Sequence, residues 1–201
     1  MMDTHSLRER KKEATRASIA NCAFHLAQKY GVDGFGIQDI ANDATISRRT
    51  FSNYFSCKEE AIAHAAFMFD KNIDLLSMSV DINEETPLSL IKYGLKNQRV
   101  FENIERKHQI VQLGRTNQTL MLYIYGTFTE IQRHSFDALK THFGHRYPDY
   151  YYQLLLGAVI SAIIPTTDSQ GFTRLPEQLT ESHFNDYLDD VFLTLENGFS
   201  H

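Results

Sequence analysis

Polar side chains that can bond DNA lie close together between Ser47 and Phe55. Arg48 and Arg49 are adjacent, and Thr50 and Ser52 follow them. An arginine guanidinium can bond a guanine edge through two parallel N–H donors, and hydroxyl groups bond base edges or phosphate oxygens. The segment therefore predicts a nucleic-acid contact, provided that a helix presents these side chains to solvent.

A helix over residues 48–55 would present them in this way. Ser47 is a good N-cap, because its hydroxyl can accept backbone N–H groups that the first turn of a helix leaves unbonded. Phe51 and Phe55 stand one turn apart, so they share one face and can hold the helix from behind.

A second short helix, over 37–43, precedes this one at the spacing of a helix-turn-helix motif. Ala41 is small enough for the two helices to cross closely, and Ile46 supplies an apolar anchor in the turn. In such motifs the N-terminal end of the second helix enters the major groove. Lys58 is placed to meet a phosphate near the start of the next helix. Similar helix pairs also occur in all-α proteins that bind no DNA.

Charge separates this front segment from the rest of the chain. The net charge of −5 does not by itself favour nucleic acid, but its distribution matters more than the total. Residues 1–60 hold nine Lys and Arg against eight Asp and Glu, a balance of +1, whereas residues 61–201 have a balance of −6. A basic group precedes the two short helices and comprises Arg8, Arg10, Lys11, Lys12 and Arg16.

A longer set of residues follows one family pattern at its spacing throughout. The set comprises Arg16-x-x-Ile19, Ala23, Gly31, Ile37-x-x-Ile40-Ala41, Ile46-Ser47-Arg48-Arg49-Thr50-Phe51, Tyr54-Phe55 and Lys58-Glu59-Glu60. Over residues 12–65 it resembles the N-terminal domain of the TetR family of bacterial regulators. By position, the resemblance implies that Arg48 and Arg49 reach base edges and that Thr50, Tyr54 and Lys58 bond the phosphate backbone.

Three positions beside the motif depart from that family pattern. Gly36 stands where the family usually has threonine; it can cap the helix but offers no hydroxyl to a phosphate. Thr45 replaces the usual glycine, which we expect to loosen the turn. Ser52 replaces an aromatic residue and becomes a candidate contact of its own. Ser47, beside the arginines, completes the predicted DNA-binding set.

Helical periodicity continues along the chain and no stretch alternates like a strand, so the predicted fold class is all-α. Predicted helices run over 8–30, 37–43, 48–55, from 56 or 57 onward, 87–105, 107–114, 118–143, 149–164 and 181–197, with loops at 81–85 and 166–179. We expect a three-helix helix-turn-helix DNA-binding domain at 1–56. Residues 57–201 are expected to form a helical bundle that binds an effector and dimerises.

Two apolar faces near the C-terminus predict self-association. They comprise Leu154, Leu155, Ala158 and Ala162 in one helix, and Phe184, Leu188, Val191, Phe192 and Leu195 in the next. Operator-binding proteins usually pair across a two-fold axis, and the family resemblance implies a homodimer with a four-helix interface. The alternative is that these faces pack only within the chain.

The segments between the front of the chain and these helices are rich in Tyr, Phe and Met. The family resemblance implies a small-molecule pocket here, and apolar walls suit a lipophilic effector. The candidate lining residues are Phe67, Met68, Phe101, His108, Met121, Tyr125 and Phe128. The alternative for each is an ordinary core position, because aromatic residues at helical spacing are core by default.

Other kinds of site find little support in the sequence. His142 and His145 are the nearest approach to a metal-ligand pair and have no third ligand nearby, so neither a metal nor another cofactor is expected. Cys22 and Cys57 do not make a disulfide framework, and redox sensing by Cys57 is a weaker alternative. No nucleophile motif or phosphate-binding glycine loop indicates an enzyme. Without a signal peptide or a bilayer-long apolar run, we expect a cytoplasmic protein with no membrane partner.

Together these features predict a homodimeric repressor that binds a palindromic duplex operator and releases it when a small lipophilic effector binds. Two alternatives stay open. One is an activator or nucleoid-associated factor of the same fold that is controlled by protein partners, for which a solid core in place of a pocket would speak. The other is a small-molecule-binding or catalytic helical protein whose front segment is only structural. Substitution of Arg48 and Arg49 would separate that protein from a DNA-binding one.

Overall fold

Helices account for nearly all of the described chain. In the computed structural model of the protein, residues 4–66, 86–97, 100–163 and 180–198 are described. They form α1 (Thr4–Tyr30), a 3₁₀ turn (Val32–Gly34), α2 (Ile37–Asp43), α3 (Arg48–Ser52), α4 (Lys58–Ala65), α5 (Pro87–Asn97), α6 (Val100–Gly114), α7 (Gln118–Phe143), α8 (Asp149–Ile163) and α9 (Glu181–Glu196). No strand occurs among these residues, which confirms the all-α prediction. The predicted loops at 81–85 and 166–179 lie outside them.

Several predicted boundaries were wrong, among them the end of α5, which is Asn97 and not residue 105. α1 begins at Thr4 rather than at residue 8. α3 ends at Ser52 rather than at Phe55, because the chain there tightens to i→i−3 hydrogen bonds: the N–H of Asn53 also donates to the carbonyl of Thr50, and that of Tyr54 donates to the carbonyl of Phe51. α6 runs unbroken across residue 106, since the sequence from 100 to 113 contains no glycine or proline that would end it.

The chain divides into two compact units. Unit 1 comprises Met1–Met68 and Gln109–Thr127, and unit 2 comprises Phe69–His108 and Phe128–His201. Unit 1 therefore includes α1 to α4 together with the end of α6 and the start of α7. Unit 2 includes α5, α8, α9 and the remaining parts of α6 and α7.

The core of unit 1 is built where α1 packs against α4. Both helices bury small side chains, among them Ala23 and Ala27 of α1 and Ala61 and Ala65 of α4, all fully buried. Because the distance between packed helices depends on the side chains between them, these alanines let α1 and α4 approach closely. α2 packs against α1 in turn, and α3 against α2.

The core of unit 2 is formed by α5, α8, α9 and the end of α7. Its buried members are Leu90, Ile91, Leu139, Phe143, Tyr152, Leu155, Leu156, Val159, Phe184, Leu188 and Phe192. At its edge Lys96 of α5 bonds Asp189 of α9, and Lys92 lies 3.8 Å from the same carboxylate. The hydrogen bond from Lys96 holds the pKa of Asp189 below its ordinary value, and the charges of both lysines act in the same direction. Within the described ranges, no helix is both long and apolar enough to cross a membrane.

Candidate nucleic-acid interface

The turn between α2 and α3 is a Schellman motif, in which two backbone N–H groups bond carbonyls of the last helical turn. The N–H of Ile46 donates to the carbonyl of Ala41 at 2.8 Å, and that of Thr45 to the carbonyl of Asn42 at 3.2 Å. This is the 6→1 and 5→2 pairing that ends many helices. It sets the direction in which the chain leaves α2 and enters α3.

Thr45 adopts a left-handed backbone conformation with φ of 55° at the centre of this turn. Glycine is favoured there because it has no Cβ, and a β-branched residue with positive φ is a genuine outlier. The threonine that replaces the usual family glycine therefore stands at the one turn position that favours glycine. The turn forms with both of its hydrogen bonds, and the cost of the threonine appears as backbone strain.

Ser47 caps α3 as the sequence predicted. Its hydroxyl oxygen accepts the N–H of Thr50 at 3.0 Å, and the Ser47 and Thr50 hydroxyls lie 2.8 Å apart. Removal of such a cap typically costs about 1 kcal/mol. The cap holds the first turn of α3, which carries Arg48 and Arg49, in a helical conformation.

Two phenylalanines anchor α3 and the turn after it. Phe51 is 0% exposed and Phe55 is 2% exposed, with ring centroids 6.0 Å apart. The guanidinium of Arg16, on α1, lies 4.6 Å from the centroid of the Phe55 ring and 3.6 Å from a carboxylate oxygen of Glu60. Arg16 is thus a structural contact between α1 and the helix-turn-helix segment. Its spacing in the family pattern was the only sign of this in the sequence.

Arg48 and Arg49 are exposed at the N-terminal end of α3. Among the residues that the structure describes, neither guanidinium lies within ion-pair distance of a carboxylate. The backbone of a short, anchored helix therefore fixes where these two side chains begin. No carboxylate in the described part of the chain neutralises their charge. Such an arrangement suits an external anion whose edges or oxygens accept several N–H donors.

Other predicted DNA contacts also belong to unit 1. Thr50 and Tyr54 are half-buried, and Ser52 is exposed with its hydroxyl donating to the carbonyl of Arg48 at 3.2 Å. Lys58 is half-buried, and its ammonium group donates to the carbonyl of Phe35 at 2.9 Å. One of its three N–H donors is therefore bonded within the chain.

Gly36 starts α2 through a residue that the sequence interpretation overlooked. The carboxylate of Asp39 accepts the backbone N–H of Gly36 at 2.8 Å, as in a capping box that lacks the usual hydroxyl. An acidic residue three positions after the N-cap is the signal that could have identified it. Because this N–H is bonded within the chain, any contact of Gly36 with DNA must use another backbone group.

The start of α4 is fixed by Glu60, a residue of the family pattern to which the sequence interpretation gave no role of its own. One carboxylate oxygen of Glu60 accepts the backbone N–H of Ser56 at 2.6 Å and the Ser56 hydroxyl at 2.7 Å. The Ser56 hydroxyl also lies 3.1 Å from the hydroxyl of Tyr123 on α7. Cys57 is the N-cap, with its sulfur accepting the N–H of Glu60 at 3.4 Å.

The predicted effector-binding residues fall in different parts of the chain. Phe67, Met68 and the side chain of Phe101 lie outside the described residues. Met121 and Tyr125 belong to unit 1, where Met121 is half-buried and Tyr125 is 59% exposed. His108 and Phe128 are half-buried and belong to unit 2.

An open groove of about 490 Å³ in unit 1 contains none of these predicted residues. It is lined by Leu26, Tyr30, Gly34, Phe35, Asp39, Asn42 and Asp43. Cys22 hydrogen-bonds Asp43, and burial followed by this bond raises the pKa of the Cys22 thiol to about 11.

The predicted dimer residues divide into a buried and an accessible set. Leu155, Phe184, Leu188 and Phe192 belong to the core of unit 2 and are at most 8% exposed. Leu154 is 71% exposed, while Ala158, Ala162, Val191 and Leu195 are half-buried. Tyr150 was not among the predicted residues, but it is 66% exposed one turn before Leu154. Only the accessible set can lose substantial surface to a second subunit.

Across the described part of the chain, no group of three or more His, Cys, Asp or Glu side chains is placed to hold a metal ion. This includes the neighbourhood of His142 and His145.

Comparisons with known proteins support the fold. No family model matches the chain, and no curated protein matches it either. Among solved structures, the chain is similar to one from Clostridium perfringens described as a "putative fatty acid metabolism regulator", with a TM-score of 0.51 and 16% sequence identity. The similarity covers 92% of this chain and 99% of that one, so the two share a fold over nearly their whole lengths.

Proposed function

We propose that this protein is a transcriptional regulator that reads duplex DNA through α3. The observation that carries the proposal is the pair of exposed, unneutralised arginines at the start of a capped helix whose opposite face is buried through Phe51 and Phe55. Arg48 and Arg49 bond base edges in the major groove, and Thr50, Tyr54 and Lys58 bond the phosphates beside them. The described regulator from C. perfringens with the same fold supports this class of protein, as does the resemblance of residues 12–65 to the TetR family.

Substitution of the two arginines tests the proposal. A bidentate arginine–guanine contact contributes about 1–3 kcal/mol of discrimination. Arg48→Ala/Arg49→Ala should therefore abolish sequence preference and weaken binding by a factor of roughly 10 or more. The matched control is Arg133→Ala/Arg146→Ala, which removes two exposed arginines from unit 2. Equal DNA affinity for the two double variants, both folded by circular dichroism, would remove the proposal.

The DNA-bound form is a homodimer joined through α8 and α9. Tyr150, Leu154, Ala158 and Ala162 are spaced four residues apart, so they form one ridge along α8 that can pack against its copy. Leu154 is the most exposed residue of this ridge, at 71%. The buried residues of the same two helices support it from within the subunit.

Leu154→Glu tests this interface. It should convert the dimer to monomer by placing a charge in the contact, as measured by sedimentation velocity. Leu122→Glu is the matched control, because Leu122 is 66% exposed on α7, outside the proposed interface. A Leu154→Glu protein that sediments like wild type would contradict the proposed contact.

A small lipophilic effector controls DNA binding by shifting the protein between two conformations, of which only one binds DNA. Such an effector releases the operator only if its affinity for the conformation that cannot bind DNA exceeds its affinity for the conformation that can. We propose repression as the default action, with effector binding releasing the operator.

A further inference from the structure

The first turns of α1 extend beyond the core of unit 1. Every residue from Leu7 to Ala14 is exposed, and the first fully buried residue of the helix is Ile19. Tertiary packing supplies most of the stability of helices in proteins. No residue of this stretch is buried or half-buried, so its surface is open to an external partner.

Charges are sorted around this stretch of helix. At 3.6 residues per turn, Arg8, Lys11 and Lys12 fall within a sector of about 100°, and Glu9 and Glu13 lie outside it. Arg8 and Lys12 stand one turn apart, where like charges repel each other. None of the three cations pairs with a carboxylate among the described residues. A polyanion lying along these three residues, which we term the arm stripe, would relieve the repulsion.

The arm stripe begins one helical turn before the contact between α1 and the helix-turn-helix segment. Lys12 stands one helical turn before Arg16, whose guanidinium lies 4.6 Å from the Phe55 ring centroid. Arg8 is two turns before Arg16, about 12 Å along the helix axis. The three cations therefore continue outward from the contact between α1 and the helix-turn-helix segment.

We propose that the arm stripe binds the phosphate backbone of the same DNA that α3 reads, beyond the helix-turn-helix contact. This inference rests on the proposed function. Duplex DNA fits because it is a continuous polyanion and phosphate contacts require cations but no base recognition. An anionic membrane fits less well, since Leu7 is the only large apolar side chain between residues 7 and 14 and interfacial helices need an apolar face.

The salt dependence of binding tests the arm stripe directly. The full chain is titrated against a mixed-sequence duplex of about 30 base pairs at several salt concentrations, because each phosphate contact adds about 0.9 to the slope of log K against log salt. Arg8→Gln/Lys12→Gln should lower the slope by about 1.8 for each bound subunit and weaken binding about 30-fold at 0.15 M salt. Glutamine is used because it keeps the helix propensity.

Two controls separate position from charge. Arg133→Gln/Arg146→Gln removes the same net charge from unit 2, and Arg10→Gln removes a cation from the other side of α1; neither should change the slope appreciably. Hydrogen exchange gives a second readout, in which the duplex should slow exchange of the amides of residues 7–14.

The outcomes distinguish the two proposals. Wild-type protein that binds no duplex at low salt would overturn the proposed function, and this inference with it. Wild-type binding combined with a slope for Arg8→Gln/Lys12→Gln equal to that of the unit 2 control would overturn the arm stripe alone. Protection of residues 7–14 by anionic vesicles and not by the duplex would also overturn it.

Discussion

Thr45 is the position at which the helix-turn-helix segment carries backbone strain, and replacing it by glycine relieves that strain without touching the hydrogen bonds of the turn. The left-handed conformation costs an L-residue about 1–2 kcal/mol. Part of the relief, about 0.4–1 kcal/mol, is offset because glycine gives the unfolded chain more conformational freedom. Thr45→Gly should therefore raise the free energy of unfolding by about 0.5–1 kcal/mol.

The neighbouring residue provides the matched control. Ala44 has φ of −77° and ψ of −2°, a conformation that alanine adopts without strain. Ala44→Gly gives the unfolded chain the same additional freedom but relieves no backbone strain. It should therefore lower the free energy of unfolding by about 0.5–1 kcal/mol.

Urea denaturation followed by circular dichroism measures both variants, and thermal melts give an independent value. In a chain of this size the Thr45→Gly gain corresponds to a rise in Tm of about 1–4 °C. If Thr45→Gly destabilises the protein as much as Ala44→Gly does, the explanation of the turn by backbone strain is incorrect.

Four further outcomes follow from the described contacts. Ser47→Ala should lower the free energy of unfolding by about 1 kcal/mol in urea titrations, whereas Ser47→Asp, which keeps a cap, should not. Phe51→Ala should cost about 3–5 kcal/mol and melt the helix-turn-helix segment, seen as loss of amide protection there. Burial raises the pKa of Cys22 to about 11 from an ordinary value of 9.0, which lowers its thiolate fraction at pH 8 about 100-fold. Because a more basic thiolate is also more nucleophilic, its reaction with a disulfide reagent in a Cys57→Ser background should be about 10-fold slower than that of a free thiol. Because the pKa of Asp189 is lowered in the folded state, its contribution to stability is complete above about pH 4 and is lost as pH falls through the folded-state pKa. Asp189→Asn should therefore flatten the acid limb of the curve of unfolding free energy against pH. At neutral pH the curve should stay nearly parallel to that of wild type.

Local patterns predicted the helix-turn-helix segment closely, because its signals are short in range. The 37–43 helix, the Ser47 cap and the burial of Phe51 and Phe55 each depend on residues within one or two turns of one another. The end of α3 was less predictable, since the Phe51/Phe55 spacing is the same for a continuing helix and for a helix followed by a tight turn. The strain at Thr45 required the backbone conformation, although the absence of the usual glycine indicated where to look.

The C-terminal helices show what sequence periodicity leaves undetermined. Leu154 and Leu155 are adjacent and chemically identical, yet one is 71% exposed and the other 8%. Their difference depends on which side of α8 faces α5, α7 and α9, and those packing partners are distant in the sequence. For the same reason the pattern predicted one wide apolar face where the structure contains a buried side and an accessible ridge. The predicted effector pocket remains a prediction.

Selection of bound sequences from a library of random duplexes tests the central proposal most directly, because it measures binding, symmetry and half-site spacing together. The proposed dimer should enrich an inverted repeat whose half-site centres are separated by about one helical turn of DNA, 10–10.5 base pairs, or a multiple of it. Guanines should appear at positions that lose their preference in Arg48→Ala/Arg49→Ala. A library from which no sequence is enriched, or in which the double variant enriches the same sequence as wild type, would contradict DNA reading by α3.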